Sequence, residues 1–218
     1  MDDFKPIKYS INNYEKTILS KFLTLSNPKI ILELGVDKGS TTKFILDFLS
    51  ENKFRSKLFG FDFKNIVKNL SEKDLKIKKY LDNNELELIS GILPSSLKSF
   101  LKKYDFKIDF VFIDATGDFK NVFGELSLLW PHLSQKGFIV CHYHKERLHY
   151  AIEYFSKKNK VNFIPLNRKY SDSAITASIV VLSKPQFKYS LFKRLYYQYN
   201  LNEVKGYYFI KSLLNFFK

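Results

Sequence analysis

Cysteine is nearly missing from this chain: Cys141 is the sole one in 218 residues, so no internal disulfide can close and no cysteine-based zinc site can form. A reducing compartment suits such a protein. Glycine (8) and tryptophan (1) are also scarce, and neither repeats nor Ser- or Gly-rich linkers interrupt the chain. With 45% hydrophobic and 27% charged residues, the composition excludes disordered, collagen-like and low-complexity architectures. No apolar run approaches the roughly 20 residues needed to span a bilayer. The opening Met1-Asp2-Asp3-Phe4-Lys5-Pro6 lacks a basic stretch leading into an apolar one, so no secretory signal is read there. The expectation is a cytoplasmic protein, at most peripheral on the inner membrane face.

Acids are in deficit as well, 22 against 36 Lys and Arg, for a net charge of +14. That excess attracts anionic partners, and it is equally the mark that an AT-rich genome leaves on a Lys-, Asn-, Phe- and Tyr-rich chain.

What is present is a regular alternation. Ile11, Tyr14, Ile18, Leu19, Phe22 and Leu25 fall at spacings of three and four, which predicts a helix over residues 10–25 that Asn27-Pro28 ends. Lys29 to Leu34 predicts a buried strand, Gly35 to Gly39 a turn, and Ser40, Thr41 and Thr42 hydroxyl caps for a helix faced by Phe44, Ile45, Phe48 and Leu49. Strands are then expected at 57–63, 86–90, 108–113 and 138–141, and helices at 66–80, 95–104, 119–130 and 145–158. Regular alternation with short links implies a parallel sheet covered by helices on both faces. The rhythm ends with strands at 161–166 and 174–182, whose short polar link cannot hold a crossover helix, so they should pair as an antiparallel hairpin. The fold class is therefore α/β: a three-layer, Rossmann-like sandwich around seven strands, mostly parallel, with a C-terminal antiparallel hairpin.

The chemistry concentrates at the first turn, Glu33-Leu34-Gly35-Val36-Asp37-Lys38-Gly39-Ser40-Thr41. Gly35 lets the backbone turn off the strand, Gly39 permits close approach, and the free N–H groups at the helix start face an anion or carboxylate. The three-glycine dinucleotide pattern is lacking, and so is the Gly-Lys-Ser/Thr of triphosphate sites. The next strand ends in Asp62, 27 residues after Gly35 (62 − 35), where an acid can accept both hydroxyls of a ribose or simply stand as a solvated strand-end carboxylate. Asp114, ending the strand at 108–113, and His142, following the fifth strand, should share the carboxyl edge of the sheet, where open α/β folds bind ligands. Either can serve a proton transfer. Each also has a plain reading, Asp114 as a turn cap and His142 as a hydrogen-bonded structural histidine; His144, at a predicted helix start, is a third candidate.

Glu33 to Thr41 resembles motif I of the class I S-adenosylmethionine-dependent methyltransferases, in which an acid-x-Gly-x-x-x-Gly turn holds the cofactor's amino-acid end. The segments Ile108 to Ala115, Leu126 to Leu133 and Gly137 to Val140 are similar to the small bacterial subgroup that methylates hydroxyls on sugars and small molecules, over roughly Pro28 to Lys184. The resemblance implies S-adenosylmethionine as cofactor, bound through Glu33, Gly35, Val36, Gly39, Ser40, Thr41, Asp62, Gly91, Ile92 and Asp114. It implies O-methyl transfer, with Asp114, His142 and His144 as catalytic candidates. Departures are equally informative. Gly117 stands where many relatives place a histidine, Ile92 follows Gly91 where an acid is common, and Cys141-His142 replaces the acid of metal-binding relatives, so no metal is expected. On this reading residues 1–28 form a helical cap, 29–184 the cofactor-binding domain, and 185–218 an appendage.

Residues 184–218 hold seven Lys/Arg, one acid and eleven Phe/Tyr, so six of the fourteen excess positive charges lie there. Interleaved bases and aromatics such as Phe187, Lys188, Tyr189, Phe192, Lys193, Arg194, Tyr196 and Tyr197 suit packing on the domain or a second subunit, then a membrane surface, then nucleic acid. The expected partner of the site is a saccharide or other small hydroxylated acceptor. RNA methylation, or a degenerate domain that serves as a membrane- or partner-binding module, are the alternatives.

Overall fold

A computed structural model describes residues 11–114, 118–143, 146–167 and 178–185. His144, Gly117 and nearly all of the basic appendage lie outside the described residues. The chain divides into two units, Met1–Lys184 and Pro185–Lys218.

The first unit runs α1 (Asn13–Ser26), β1 (Ile30–Leu34), α2 (Ser40–Glu51), β2 (Lys57–Asp62), α3 (Lys64–Lys73), α4 (Leu75–Asp82), β3 (Leu86–Ser90), α5 (Ser95–Lys103), β4 (Ile108–Ile113), α6 (Phe119–Leu129), β5 (Leu133–Tyr143), α7 (Glu146–Asn159), β6 (Asn162–Asn167) and β7 (Ser178–Ser183). The strands form one sheet in the order β3-β2-β1-β4-β5-β7-β6. The first five strands are parallel to one another, while β7 runs antiparallel to both neighbours, which is the hairpin ending expected above.

Alternation along the strands sorts their side chains into two layers. Leu32, Leu34, Val111, Ile113, Ile139 and Cys141 pack with Leu97 and Phe100 of α5, Leu126 and Leu129 of α6 and Phe155 of α7. The opposite parity, Glu33, Phe138 and His142 among them, meets α1 and α2: Phe22 of α1 sets its ring edge-on to Phe138 at 5.0 Å, and Thr42 of α2 bonds Glu33. Two of the residues on this second face are ionisable and buried, Glu33 at 0% and His142 at 4% exposure. Burying such groups is costly without partners, so they mark the site.

Three local readings are corrected by the structure. The helix expected over 66–80 is two helices, because Asp74 breaks the chain and caps α4 by accepting the N–H groups of Lys76 and Ile77. The hydroxyls of Ser40, Thr41 and Thr42 cap nothing: Gly39 is the N-cap of α2, in the left-handed region at φ 71°, and makes no side-chain bond there. The strand expected at 138–141 starts at Leu133, because the polar Ser134–Gly137 run is taken up in a register shift between Ile108 and Phe110 of β4. Gly137 permits that shift, since a Cβ there would lie 3.0 Å from the Ile108 carbonyl oxygen.

Candidate active site

Parallel strands bring their carboxyl ends to one edge, so β1, β2 and β4 deliver Glu33, Asp62 and Asp114 to adjoining positions. Gly35 donates its N–H to the Phe61 carbonyl and Asp114 donates its own to the Leu34 carbonyl, tying the three strand ends together. Beyond β1 the chain turns with Gly35 at φ 92° and Gly39 at φ 71°, a conformation that costs an L side chain about 1–2 kcal/mol. The Gly39 N–H closes the turn on the Val36 carbonyl at 2.9 Å.

Asp62 organises this turn. Its Oδ2 accepts the N–H groups of Val36 (2.8 Å) and Asp37 (2.7 Å), and its Oδ1 accepts that of Phe63 (2.7 Å). One carboxylate thus holds the loop after β1 against the end of β2. Gly91 extends the edge by donating its N–H to the Asp62 carbonyl. Beside it lies a groove of about 570 Å³ lined by Phe63, Lys64, Asn65, Lys68, Gly91 and Ile92. Phe63 and Ile92 are 55% and 69% exposed there, an apolar surface without a cover among the described residues.

Glu33 is the electrostatic centre. Its Oε2 accepts the Thr42 hydroxyl at 2.7 Å, while Oε1 is buried with no hydrogen-bond partner among the described residues. Burial pushes its carboxyl up to about 8; the Thr42 bond opposes that shift, and the nearby charges of Asp114 and Asp62 reinforce it. At neutral pH Glu33 is mostly protonated, a buried acid that a neighbouring cation would ionise.

Asp114 is tied to His142. The imidazole, with its side chain 1% exposed, donates Nδ1–H to Asp114 Oδ1 at 2.9 Å and meets Glu15 Oε1 with Nε2 at 3.2 Å. Burial alone would lower the ring's pKa, but the bonds and charges of Asp114 and Glu15 win and raise it to about 9. His142 is therefore an imidazolium with both ring nitrogens engaged. Asp114 keeps 18% of its side chain exposed and is the member of this trio that reaches solvent.

Of the residues singled out from sequence, Glu33, Gly35, Val36, Gly39, Asp62, Gly91 and Asp114 meet along this edge, and Ser40 and Thr41 begin α2 just behind the turn. Ile92 faces the groove, His142 is interior, and His144 lies outside the described residues. The sequence reading missed Thr42, Asp37 and Glu15. Glu15 had a signal: it falls three and four residues before Ile18 and Leu19, an acid on the apolar stripe of α1. Among the described residues no group of three His, Cys, Asp or Glu side chains is arranged to hold a metal ion.

A family model described as a methyltransferase domain matches residues 32–143, just over half of the chain. The chain belongs to that methyltransferase family. The resemblance carried by Glu33 to Thr41 is thereby borne out. No curated protein matches the sequence. Among solved structures, the domain resembles an O-methyltransferase from Bacillus cereus in complex with S-adenosylhomocysteine, at 16% identity over 81% of this chain and 83% of that one, with a TM-score of 0.63. The O-methyltransferase TomG from Streptomyces achromogenes, involved in tomaymycin synthesis and solved with S-adenosylmethionine, is 11% identical over 81% and 82% of the two chains, with a TM-score of 0.63. A putative rRNA methylase from Clostridium thermocellum is 16% identical over 80% of this chain and 97% of that one, at 0.57. At these identities the structures share the methyltransferase fold with this domain.

Proposed function

We propose that this protein is an S-adenosylmethionine-dependent O-methyltransferase acting on a saccharide or another small hydroxylated molecule. One observation carries the cofactor assignment: three carboxyl groups, Glu33, Asp62 and Asp114, converge around a glycine turn at the sheet's carboxyl edge, and the most buried of them has an oxygen with no partner among the described residues. A ligand that bears both an ammonium and a sulfonium suits that charge. Asp62 would accept the ribose hydroxyls, and the apolar groove between Phe63 and Ile92 suits an adenine ring.

When bound, S-adenosylmethionine supplies an electrophilic methyl group on a good leaving group. The protein's own task is then to align an acceptor hydroxyl with that methyl and to take its proton. Asp114 is the group for the proton, since its Oδ1 is held against the imidazolium and its side chain is partly open to solvent. His142 orients Asp114 rather than accepting a proton itself, because both its nitrogens already donate to carboxylates. The two named O-methyltransferases that share the fold support transfer to oxygen, and the sequence's similarity to the sugar-modifying subgroup supports the acceptor class.

Calorimetric titration with S-adenosylmethionine and S-adenosylhomocysteine, on wild type and Asp62→Ala, tests the reading. Saturable binding that the substitution weakens supports it, and labelled methyl donor then identifies the acceptor among glycans and small alcohols. Absence of binding by the folded wild type refutes it.

A further inference from the structure

Glu15 lies 127 residues from His142 in the chain, yet the two side chains meet in the interior at 3.2 Å. It is 3% exposed and divides its two oxygens between different tasks. Oε2 accepts the Asn12 N–H at 2.7 Å, which with the Asn12 side chain bonded to the Glu15 N–H completes a capping box at the start of α1. Oε1 faces the His142 ring. Helix capping alone is ordinarily done by a solvent-exposed acid, whereas this one is sunk against the sheet, on the face that carries Glu33 and His142.

We propose that Glu15 is a positioning residue of the transfer site: it fixes the His142 ring, the ring fixes Asp114, and the N-terminal helix is thereby part of the site's working machinery. The proposal rests on the methyl-transfer reading given above. The chain of contacts runs Glu15 Oε1 to Nε2, then Nδ1 to Asp114 Oδ1, from 4% exposed through 1% to 18%, so it leads from the interior to the one carboxylate that meets solvent. Both carboxylates can accept only if the ring carries both N–H groups. A neutral ring satisfies one of them and turns a lone pair toward the other. Among the described residues, the charged groups placed against the ring include Glu15 from α1 and Asp114 from the end of β4; Phe112 stacks on its face at 6.2 Å and Ile179 is its neighbour on β7. Glu33 acts on the trio at one remove, through Asp114.

The test pairs two measurements on the full chain, the His142 ring titration by NMR and S-adenosylmethionine affinity by calorimetry, each followed from pH 6 to 10. In the wild type the ring titration and one step of the affinity profile should share a midpoint near the ring's value of about 9, a step separate from the one that Glu33 imposes near 8. Glu15→Gln, which keeps shape and removes charge, should move both midpoints down by about one unit or more. Asn12→Ala is the control for capping: it should lower the melting temperature while leaving both midpoints in place. Midpoints that stay put in Glu15→Gln, an affinity profile that stays put while the ring titration moves, or an equal shift in Asn12→Ala would each overturn the proposal. A folded wild type that binds no S-adenosylmethionine at any pH overturns the methyl-transfer reading instead, and with it this role for Glu15.

Discussion

Replacing Glu33 by Gln should make the protein more stable and worse at its task. The carboxyl is fully buried and sits at about 8 against an ordinary 4.5, so between those pH values the folded chain holds a proton that the unfolded chain has released. By linkage, stability falls as pH rises through that window, at up to about 1.4 kcal/mol per unit, and levels off above it. At pH 7 the cost relative to a neutral isostere is about 3 kcal/mol, from two and a half units at 1.36 kcal/mol each. Gln accepts the Thr42 hydroxyl as Glu does, so Glu33→Gln should recover most of this, roughly 6–12 °C in melting temperature at pH 7. At pH 5 the gain should shrink below about 1 kcal/mol, because the pH then lies only half a unit above the unfolded carboxyl's ordinary 4.5 while the folded carboxyl stays protonated. The functional side is a proton. A cation seated beside Glu33 favours its charged form, so binding S-adenosylmethionine near pH 7 should release about 0.9 proton, the fraction that is protonated one unit below the pKa. Calorimetry in buffers of different ionisation enthalpy measures that number. Glu33→Gln should release none and bind at least about tenfold more weakly. The reasoning fails if the variant gains no stability at pH 7, if its gain is the same at pH 5, or if the wild type binds without releasing a proton.

Other substitutions probe separate parts of the site. Asp62→Ala removes the acceptor of three backbone N–H groups and should cost about 1–3 kcal/mol in chemical denaturation, with cofactor affinity falling further than that in Asp62→Asn. His142→Ala leaves two mostly buried carboxylates facing each other and should cost about 3–5 kcal/mol at pH 7. Because the folded ring is raised to about 9 from 6.5, its charge-linked contribution is fully present below 6.5 and is lost as pH rises through 9, so the gap between variant and wild type should narrow toward pH 10 to the part due to lost packing. Gly60→Ala places a Cβ 2.8 Å from Val36 Cγ2 and 3.0 Å from Leu88 Cδ2. It should cost about 1–3 kcal/mol and, by displacing Val36 in the binding turn, weaken cofactor affinity as well.

Much of this molecule is written locally. Each strand is a short apolar run and each helix an apolar stripe, signals that span one element and need no partner to be read. The turn from Glu33 to Thr41 is equally local, because a glycine's left-handed backbone and an adjoining acid are properties of neighbouring residues, and the hairpin followed from the length of one link. Reading failed where a local rule had competitors. Asp74 sits within a periodic pattern and broke it, since its carboxylate found two N–H groups ahead of it. The hydroxyls after Gly39 had the composition of a cap but took helical positions, and one of them turned inward to Glu33.

The tertiary structure alone decided the states of the acids and the histidine. Glu33 is a conventional carboxyl until the sheet and α2 close over it, and His142 is an ordinary imidazole until Asp114 and Glu15 arrive from positions 28 and 127 residues away. Protonation depends on which charges and how much water surround a group, and those are set by strand register and helix docking between segments distant in sequence. The sequence determined the fold and the chemical class of its first turn. Packing determined which carboxyl is neutral, which nitrogen is engaged, and that the first helix reaches into the site.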